Sequence, residues 1–457
     1  MREGKFDDST HATRPQMIMN HHQVAIDRRI FRQAHDPTRF LELLNRKSQQ
    51  SIPDVMADFF QDGSMATLHR LGKPNVEQLE HDLLEFSNQA PIALVLPCHV
   101  KELGTPALRG IIKELKNVQY IRQIVVGIDG ANATNWYRAK RIFGQLPQKP
   151  VLIWNDGPRI RRLIEQLIES DLDPGPTGKG RNLWLCFGYV LASAKTHMVA
   201  LHDCDILTYS RELLARLCYP VAHPNLGFDF CKGYSARFTD KLNGRVMRLL
   251  VTPLIRSLQS IIGLHDFLVY LDTFRYPLSG EMSLDHDIIR RARIPSDWGI
   301  EVGILAEVFR VSSPKSICQV DIAEVYDHKH QELSSRDASK GLNKMAVDIV
   351  RSVFLTLAGH GVKLDRGIFD TLLSAYMRKA EDTMRFYAAD AEINGLKYDR
   401  HEEETAVATF VRSIRGAARD YLSDPLGDPM IPNWNRVEAA LPDFLDSFNR
   451  AVQIDNK

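Results

Sequence analysis

Apolar and polar positions fall into blocks along this chain, and the blocks change character at Pro91. IALVLP (92–97) is a near-continuous apolar run, as a central parallel strand buried on both faces requires. A helical pattern follows around 104–117, then IRQIVVGID (121–129), a helix around 133–143, VLIWND (151–156) and a helix over roughly 158–169. Strands and helices alternating with short connections predict βαβαβ units in an open α/β sheet. The Gly/Pro-rich stretch DLDPGPTGKGRNLW (171–184) reads as a loop running into a helix, and MVALHD (198–203) as a fourth strand.

The flanks read differently. Residues 1–20 are polar, and 23–88 carry helical patterns, with Asn75 placed to cap VEQLEHDLLEF. From 225 to 335 the pattern is mixed. FDFCKGYSARF (228–238) is strand-like, 244–259 helical, LSGEMSLD (278–285) a polar turn, GIEVGILAEVF (299–309) helical and QVDIAEVYDHKH (319–330) strand-like. Residues 340–385 and 400–421 are helical, and a linker over 424–433 precedes a last helix. The expected organisation is a helical N-terminal extension (1–88), a catalytic α/β domain (89–335) and a helical C-terminal region (336–457).

Composition narrows the function classes. A net charge of +1 over 457 residues gives no global basic field for nucleic acid. No stretch approaches the apolar length of a membrane span. The six cysteines form no close pair of the zinc-binding kind and read as reduced and buried, which fits a cytoplasmic protein.

Ligands of open α/β sheets bind outside the carboxyl ends of the strands. There the chain places four polar clusters: Pro97 to Glu102, Asp129, Gly178–Lys179, and Asp203–Asp205. Residues two apart on an extended strand share a side, so Asp203 and Asp205 would repel unless a cation sits between them. Mg²⁺ or Mn²⁺ takes such oxygen ligands and shares its remaining positions with water or phosphates. A solvated turn is the plain alternative. TGKG (177–180) is not a Walker A loop, because Gly180 follows Lys179. A lysine between glycines still brings charge and bare amides to a diphosphate, or forms a surface turn. Asp129 is placed to accept from a nucleobase imide or a ribose hydroxyl, or to cap the next helix. His328 and His330 fall on one side of a strand-like run, so a histidine here is a candidate third metal ligand, or the pair marks a polar strand end. Arg245 is a candidate anion binder, and Lys232 and Arg237 are treated like it, as surface residues first.

Taken in order, LPCHVKEL, VVGIDGAN, TGKGRNLW and ALHDCDIL resemble a retaining GT-A nucleotide-sugar glycosyltransferase. FDFCKGYSARF, LNGRVMRL, YPLSGE, WGIEVGILAEVF and VYDHKH resemble the glucosyl-3-phosphoglycerate synthase family. The resemblance implies a GT-A Rossmann-like fold with helical additions at both ends, a homodimer, Mg²⁺ or Mn²⁺, and UDP-glucose as donor. It implies that Pro97 and Glu102 lie against uridine and ribose, that Asp129 holds the uracil, and that Gly178 and Lys179 meet the diphosphate. Asp203, Asp205 and His328 would bind the metal. Glu301 would face the hexose hydroxyls, Leu278, Ser279 and Gly280 would line the sugar pocket, and Arg245 would meet the acceptor. The implied reaction is transfer of glucose to the 2-hydroxyl of 3-phosphoglycerate.

Two positions depart from the family pattern, Met247 for a threonine and His330 for an asparagine, both linked to the acceptor site. Methionine donates no hydrogen bond. Glycerate, or a GDP-sugar donor, therefore stays open as an alternative. So do a nucleotidyltransferase and a non-catalytic sugar-nucleotide binding protein.

Overall fold

A computed structural model describes residues 61–457 except 62, 73–74 and 329–340. The helical patterns expected within 23–60 and the position of His330 lie outside the described residues. Gln61–Lys457 form one compact unit.

Among the described residues the strands are β1 (Ala66–Leu68), β2 (Ile92–His99), β3 (Ile121–Asp129), β4 (Val151–Trp154), β5 (Met198–Leu201), β6 (Phe230–Ser235), β7 (Met282–Asp285) and β8 (Ile317–Ala323). They form one sheet in the order β1-β8-β6-β7-β5-β2-β3-β4. Only β7 runs against its neighbours, pairing antiparallel with β5 and β6. The helices before β5 are α1 (Val76–Phe86), α2 (Pro106–Leu115), α3 (Ala133–Phe143), α4 (Pro158–Glu169) and α5 (Lys179–Ser193). Those of the middle are α6 (Arg211–Ala222), α7 (Thr252–Ile262), α8 (Asp266–Thr273), α9 (His286–Arg291) and α10 (Ile300–Val311). The C-terminal ones are α11 (Gly341–Gly359), α12 (Arg366–Ile393), α13 (Arg400–Ser423), α14 (Trp434–Ala440) and α15 (Phe444–Asn456).

The apolar runs are continuous because both sheet faces are covered. Along β2, Ile92, Leu94 and Leu96 pack beneath α1, α2, α3 and α6, while Ala93 and Val95 join the core beneath α4, α5 and the later helices. Helix starts follow their caps: Thr105, Asn132 and Ser210 accept from first-turn amides of α2, α3 and α6. The expected βαβαβ series and its α/β class are present, in a mixed sheet with helices added after it.

Several expectations are corrected. The polar turn at 278–285 contains β7, a central strand, because four residues too short to show a period still fill the gap between β5 and β6. β8 stops at Ala323, and His328 belongs to an isolated bridge with Ile206. A π turn at Met247–Val251 precedes α7. The span 340–385 breaks between α11 and α12, and the last helix is two, α14 and α15. These C-terminal helices share the core of the sheet. Trp434 is fully buried and stacks on Trp184 with ring centroids 4.0 Å apart. Asn456 bonds both backbone groups of Leu152 on β4, covering the exposed edge of the sheet.

All six cysteines are free and buried. No described helix is long and apolar enough to cross a membrane.

Candidate active site

The carboxyl ends of β2, β3 and β5 open onto two adjoining cavities of about 920 and 660 Å³. Both are lined by Lys179, Asp203, Asp205 and Trp298, so the two meet over this group. The larger holds Pro97, Glu102, Asp129 and Gly178. The smaller holds Arg245, Leu278, Gly280, Glu281, Glu301 and His328.

Lys179 is the first residue of α5, and its position follows from close backbone packing. A Cβ on Gly180 would sit 2.2 Å from the carbonyl oxygen of Pro295, so only glycine lets this turn of α5 approach so closely. Farther along, Asn182 donates to the carbonyl of Gly127 on β3 at 3.0 Å. No side chain caps α5, leaving its first amides open toward the larger cavity, where a diphosphate suits them. The TGKG stretch is thus a helix start pinned against the sheet, and not a loose surface turn.

Lys179 Nζ lies 2.9 Å from Asp203 Oδ2 and 2.9 Å from Glu301 Oε1. Burial alone would push the lysine down, but the two carboxylates outweigh it and hold it well above its usual range. Burial likewise works against the Asp203 carboxylate, and Lys179 more than offsets it, so Asp203 stays ionised. Among the described residues Asp205 has no such ion-pair partner. Burial, and then the charge of Asp203, push it up to about 7.

Asp203 and Asp205 share the cavity, though not for the reason expected. β5 ends at Leu201, and both lie in the turn that follows. His202 fixes that turn: fully buried and kept neutral by burial, it donates from Nδ1 to the carbonyl of Asp203 at 2.9 Å. Cys204, between the two aspartates, is buried in the core beneath α2 and α6 and contributes to the floor of the larger cavity. Gly280 presses on the turn from β7's side; a Cβ there would lie 2.5 Å from Asp203 Oδ2.

His328 lines the same cavity, but no three His, Cys, Asp or Glu side chains among the described residues are gathered closely enough to form a preassembled metal cluster. Lys179 pairs with Asp203, and the Asp203 charge acts on the neighbouring Asp205. The donor set still fits Mg²⁺ or Mn²⁺, which need only one or two carboxylates beside water and phosphate oxygens. Asp205, raised by burial and by the charge of Asp203, is an oxygen donor whose ionised form a bound cation would favour.

On the nucleotide side, Asp129 ends β3 nearly buried, and Asn155 donates to it at 3.3 Å. Burial raises its pKa and the Asn155 bond works against that rise. Pro97 and Glu102 stand across the cavity. On the other side, Glu301 opens α10 and faces both the cavity and Lys179. Leu278 and Gly280 line the wall, but Ser279 lies behind it, fully buried with its hydroxyl donating to Glu281. Arg245 reaches the cavity while paired with Glu402 at 2.9 Å and Glu403 at 3.3 Å.

Glu281 went unrecognised in the sequence, and Arg237 and Lys232 read there as surface residues first. Glu281 is buried and accepts from Tyr326, Ser279 and Arg237. Arg237 is no surface residue: it lies between the rings of Tyr276 and Tyr326, 4.0 and 4.3 Å from their centroids. Lys232 is buried on β6, pushed down to about 8 by burial, and donates to the carbonyl of Ser279 at 2.6 Å. The signal for these was an acid inside the apolar MSL flank of SGEMSLD and a lysine inside FDFCKGY.

No family model matches the chain. The glucosyl-3-phosphoglycerate synthase of Persephonella marina is 45% identical over 401 residues, covering 88% of this chain and 99% of that protein. That of Methanococcoides burtonii is 38% identical over 408 residues, covering 88% and 98%. Among solved structures, mannosyl-3-phosphoglycerate synthase from Rubrobacter xylanophilus aligns with a TM-score of 0.49 at 21% identity over 66% of this chain and 83% of that one. A Mycobacterium tuberculosis glucosyl-3-phosphoglycerate synthase in complex with Mn²⁺, UDP-glucose and phosphoglyceric acid aligns at 0.48 and 20% identity, over 66% and 89%. On the near full-length identity to the first two proteins, the chain belongs to the glucosyl-3-phosphoglycerate synthase family.

Proposed function

We propose that this protein is a retaining, metal-dependent hexosyltransferase that moves glucose from UDP-glucose to the 2-hydroxyl of 3-phosphoglycerate. The observation that carries the reading is the 45% identity to a glucosyl-3-phosphoglycerate synthase across 99% of that relative. Two cavities meeting over Lys179, Asp203 and Asp205 support it, since a transferase must hold donor and acceptor side by side.

In this reading Asp129 accepts the uracil imide proton, with Pro97 and Glu102 against the nucleoside. The open amides of α5, starting beside Gly178, and the Lys179 ammonium hold the diphosphate. Asp203, Asp205 and His328 would hold Mg²⁺ or Mn²⁺, which neutralises charge on the leaving UDP when bound. Glu301 orients the hexose through its hydroxyls, against a wall of Leu278 and Gly280 that Ser279 and Glu281 brace from behind. Arg245 orients the acceptor. Asp203 and Glu301 are both held by Lys179, so neither is a free enzymic nucleophile. Retention then follows from attack on the face that UDP leaves. The bond from C1 to the diphosphate oxygen breaks, the bond to the acceptor oxygen forms, and the hydroxyl proton passes to a donor phosphate oxygen.

Residues 89–335 carry the chemistry in this proposal and 336–457 wall the acceptor side, while β1 and α1, expected to belong to a separate helical extension, add a strand to the same sheet and a helix over it. The enzyme works in the cytoplasm as a homodimer, without nucleic acid.

The test is UDP release with Mg²⁺, crossing UDP-glucose, GDP-glucose and GDP-mannose against 3-phosphoglycerate and glycerate, with products identified by mass. Release with UDP-glucose and 3-phosphoglycerate supports the proposal. Turnover with glycerate alone moves the function to a glucosylglycerate synthase, and silence throughout refutes the transferase reading.

A further inference from the structure

How the smaller cavity receives a doubly anionic acid is a question of free positive charge. Among the described residues four cations line it: Lys179, Arg237, Lys241 and Arg245. Lys179 is held by Asp203 and Glu301, and Arg237 by Glu281 and two tyrosine rings. Arg245 is held by Glu402 and Glu403. Lys241 is exposed, and no carboxylate among the described residues pairs with it.

The loop bearing Lys241 and Arg245 is built in advance. Buried Arg248 donates from behind to the carbonyls of Leu242 (3.2 Å) and Asn243 (2.9 Å), and it clasps Glu403 at 2.8 and 3.2 Å. Lys397, just ahead of α13, binds Asp240 through its backbone amide at 2.8 Å and its side chain at 2.9 Å. Met247, where the family resemblance calls for threonine, is buried in the core and offers the cavity nothing.

The two carboxylates on Arg245 differ. Glu403 is buried and fixed by Arg248, whereas the Glu402 side chain is 51% exposed and stands on the cavity wall. An incoming anion competes for Arg245 by releasing Glu402 to water, where an exposed ion pair is worth little. Phosphate, with three acceptor oxygens, accommodates a guanidinium fork and an ammonium together.

We propose that Lys241 and Arg245 together seat the phosphate of the acceptor, and that Glu402 on α13 is the counter-ion the phosphate displaces. This rests on the transfer proposed above and adds what selects 3-phosphoglycerate over its dephosphorylated form. The substitute for the family threonine is thus a lysine six residues earlier, on a loop tied down by the C-terminal helices.

The experiment is steady-state kinetics at saturating UDP-glucose and Mg²⁺, varying 3-phosphoglycerate or glycerate, with wild type, K241A, K241R and E402Q. Losing one charge-assisted contact lowers the 3-phosphoglycerate to glycerate ratio of kcat/KM in K241A by about tenfold, through KM. K241R restores most of it. E402Q lowers KM for 3-phosphoglycerate by about threefold, the scale of an exposed ion pair. Melting curves check that the exposed substitutions leave the fold intact. A K241A ratio within about twofold of wild type, or an E402Q enzyme with a raised KM, overturns the phosphate seat alone. Wild-type silence with both acids overturns the transfer reading and the seat with it.

Discussion

Replacing Gly280 with alanine separates activity from stability in a way the geometry makes quantitative. The new Cβ would lie 2.5 Å from Asp203 Oδ2 and 3.0 Å from its Cγ. Carbon–oxygen contacts settle at about 3.3 Å, so the carboxylate must retreat by about 0.8 Å. Asp203 cannot yield freely, because Lys179 holds it at 2.9 Å and His202 pins its backbone. A displacement near 1 Å at a reacting centre costs on the order of 100-fold, so kcat/KM should fall by about 30- to 100-fold. Gly280 has no positive φ, so alanine brings no backbone strain, and its lower unfolded-state entropy offsets part of the clash. The melting temperature should therefore move by no more than about 4 °C. The assay is UDP release over a Mg²⁺ titration, with thermal melting beside it. A G280A enzyme within about threefold of wild type, melting normally, would show that Asp203 does not need its observed position, and the reasoning would fail.

Asp205 predicts a pH effect in metal-free protein. Its pKa is raised to about 7 in the fold, so the folded state keeps a proton that the unfolded chain has lost between about pH 4 and 7. Its contribution to stability is complete below the unfolded carboxylate range and disappears as pH rises through 7. D205N should therefore melt higher than wild type at pH 8 without metal, with the gap closing toward pH 4. Mg²⁺ should reverse the order at pH 8 by stabilising only the wild type; melting curves of equal height at every pH would rule this out. Arg248 supports the acceptor side. R248M leaves buried Glu403 with only Arg245, and should cost about 3 kcal/mol, the lower end for breaking a buried pair. Urea midpoints measure this, and adding E403L should recover most of the loss; no recovery would mean that the arginine acts through packing.

The chain's own pattern settled the α/β class, because strands covered on both faces must be apolar throughout and the helices between them keep a helical period. It also put polar residues at or just past the carboxyl ends of the strands, so Asp129, Asp203 and Asp205 were legible as neighbours at one edge of the sheet, and the Gly-rich start of a helix put Lys179 beside them. β7 was hidden for a physical reason: four residues show no period, and its place depends on a gap between β5 and β6 made by distant chain. Partnerships were hidden as well. Nothing local to Lys179 announces Glu301, and nothing local to Arg245 announces Glu402 and Glu403, more than 150 residues away. Arg237 and Lys232 read as surface cations because charge normally means exposure, and only the buried Glu281 and the carbonyl of Ser279 make their burial tolerable. Residue types and strand ends follow from short-range rules of period and solvation, which act within one element. Which charges face each other, and which cation stays free for a ligand, depends on long-range packing, and that was decided only when the sheet and the C-terminal helices closed around the cavity.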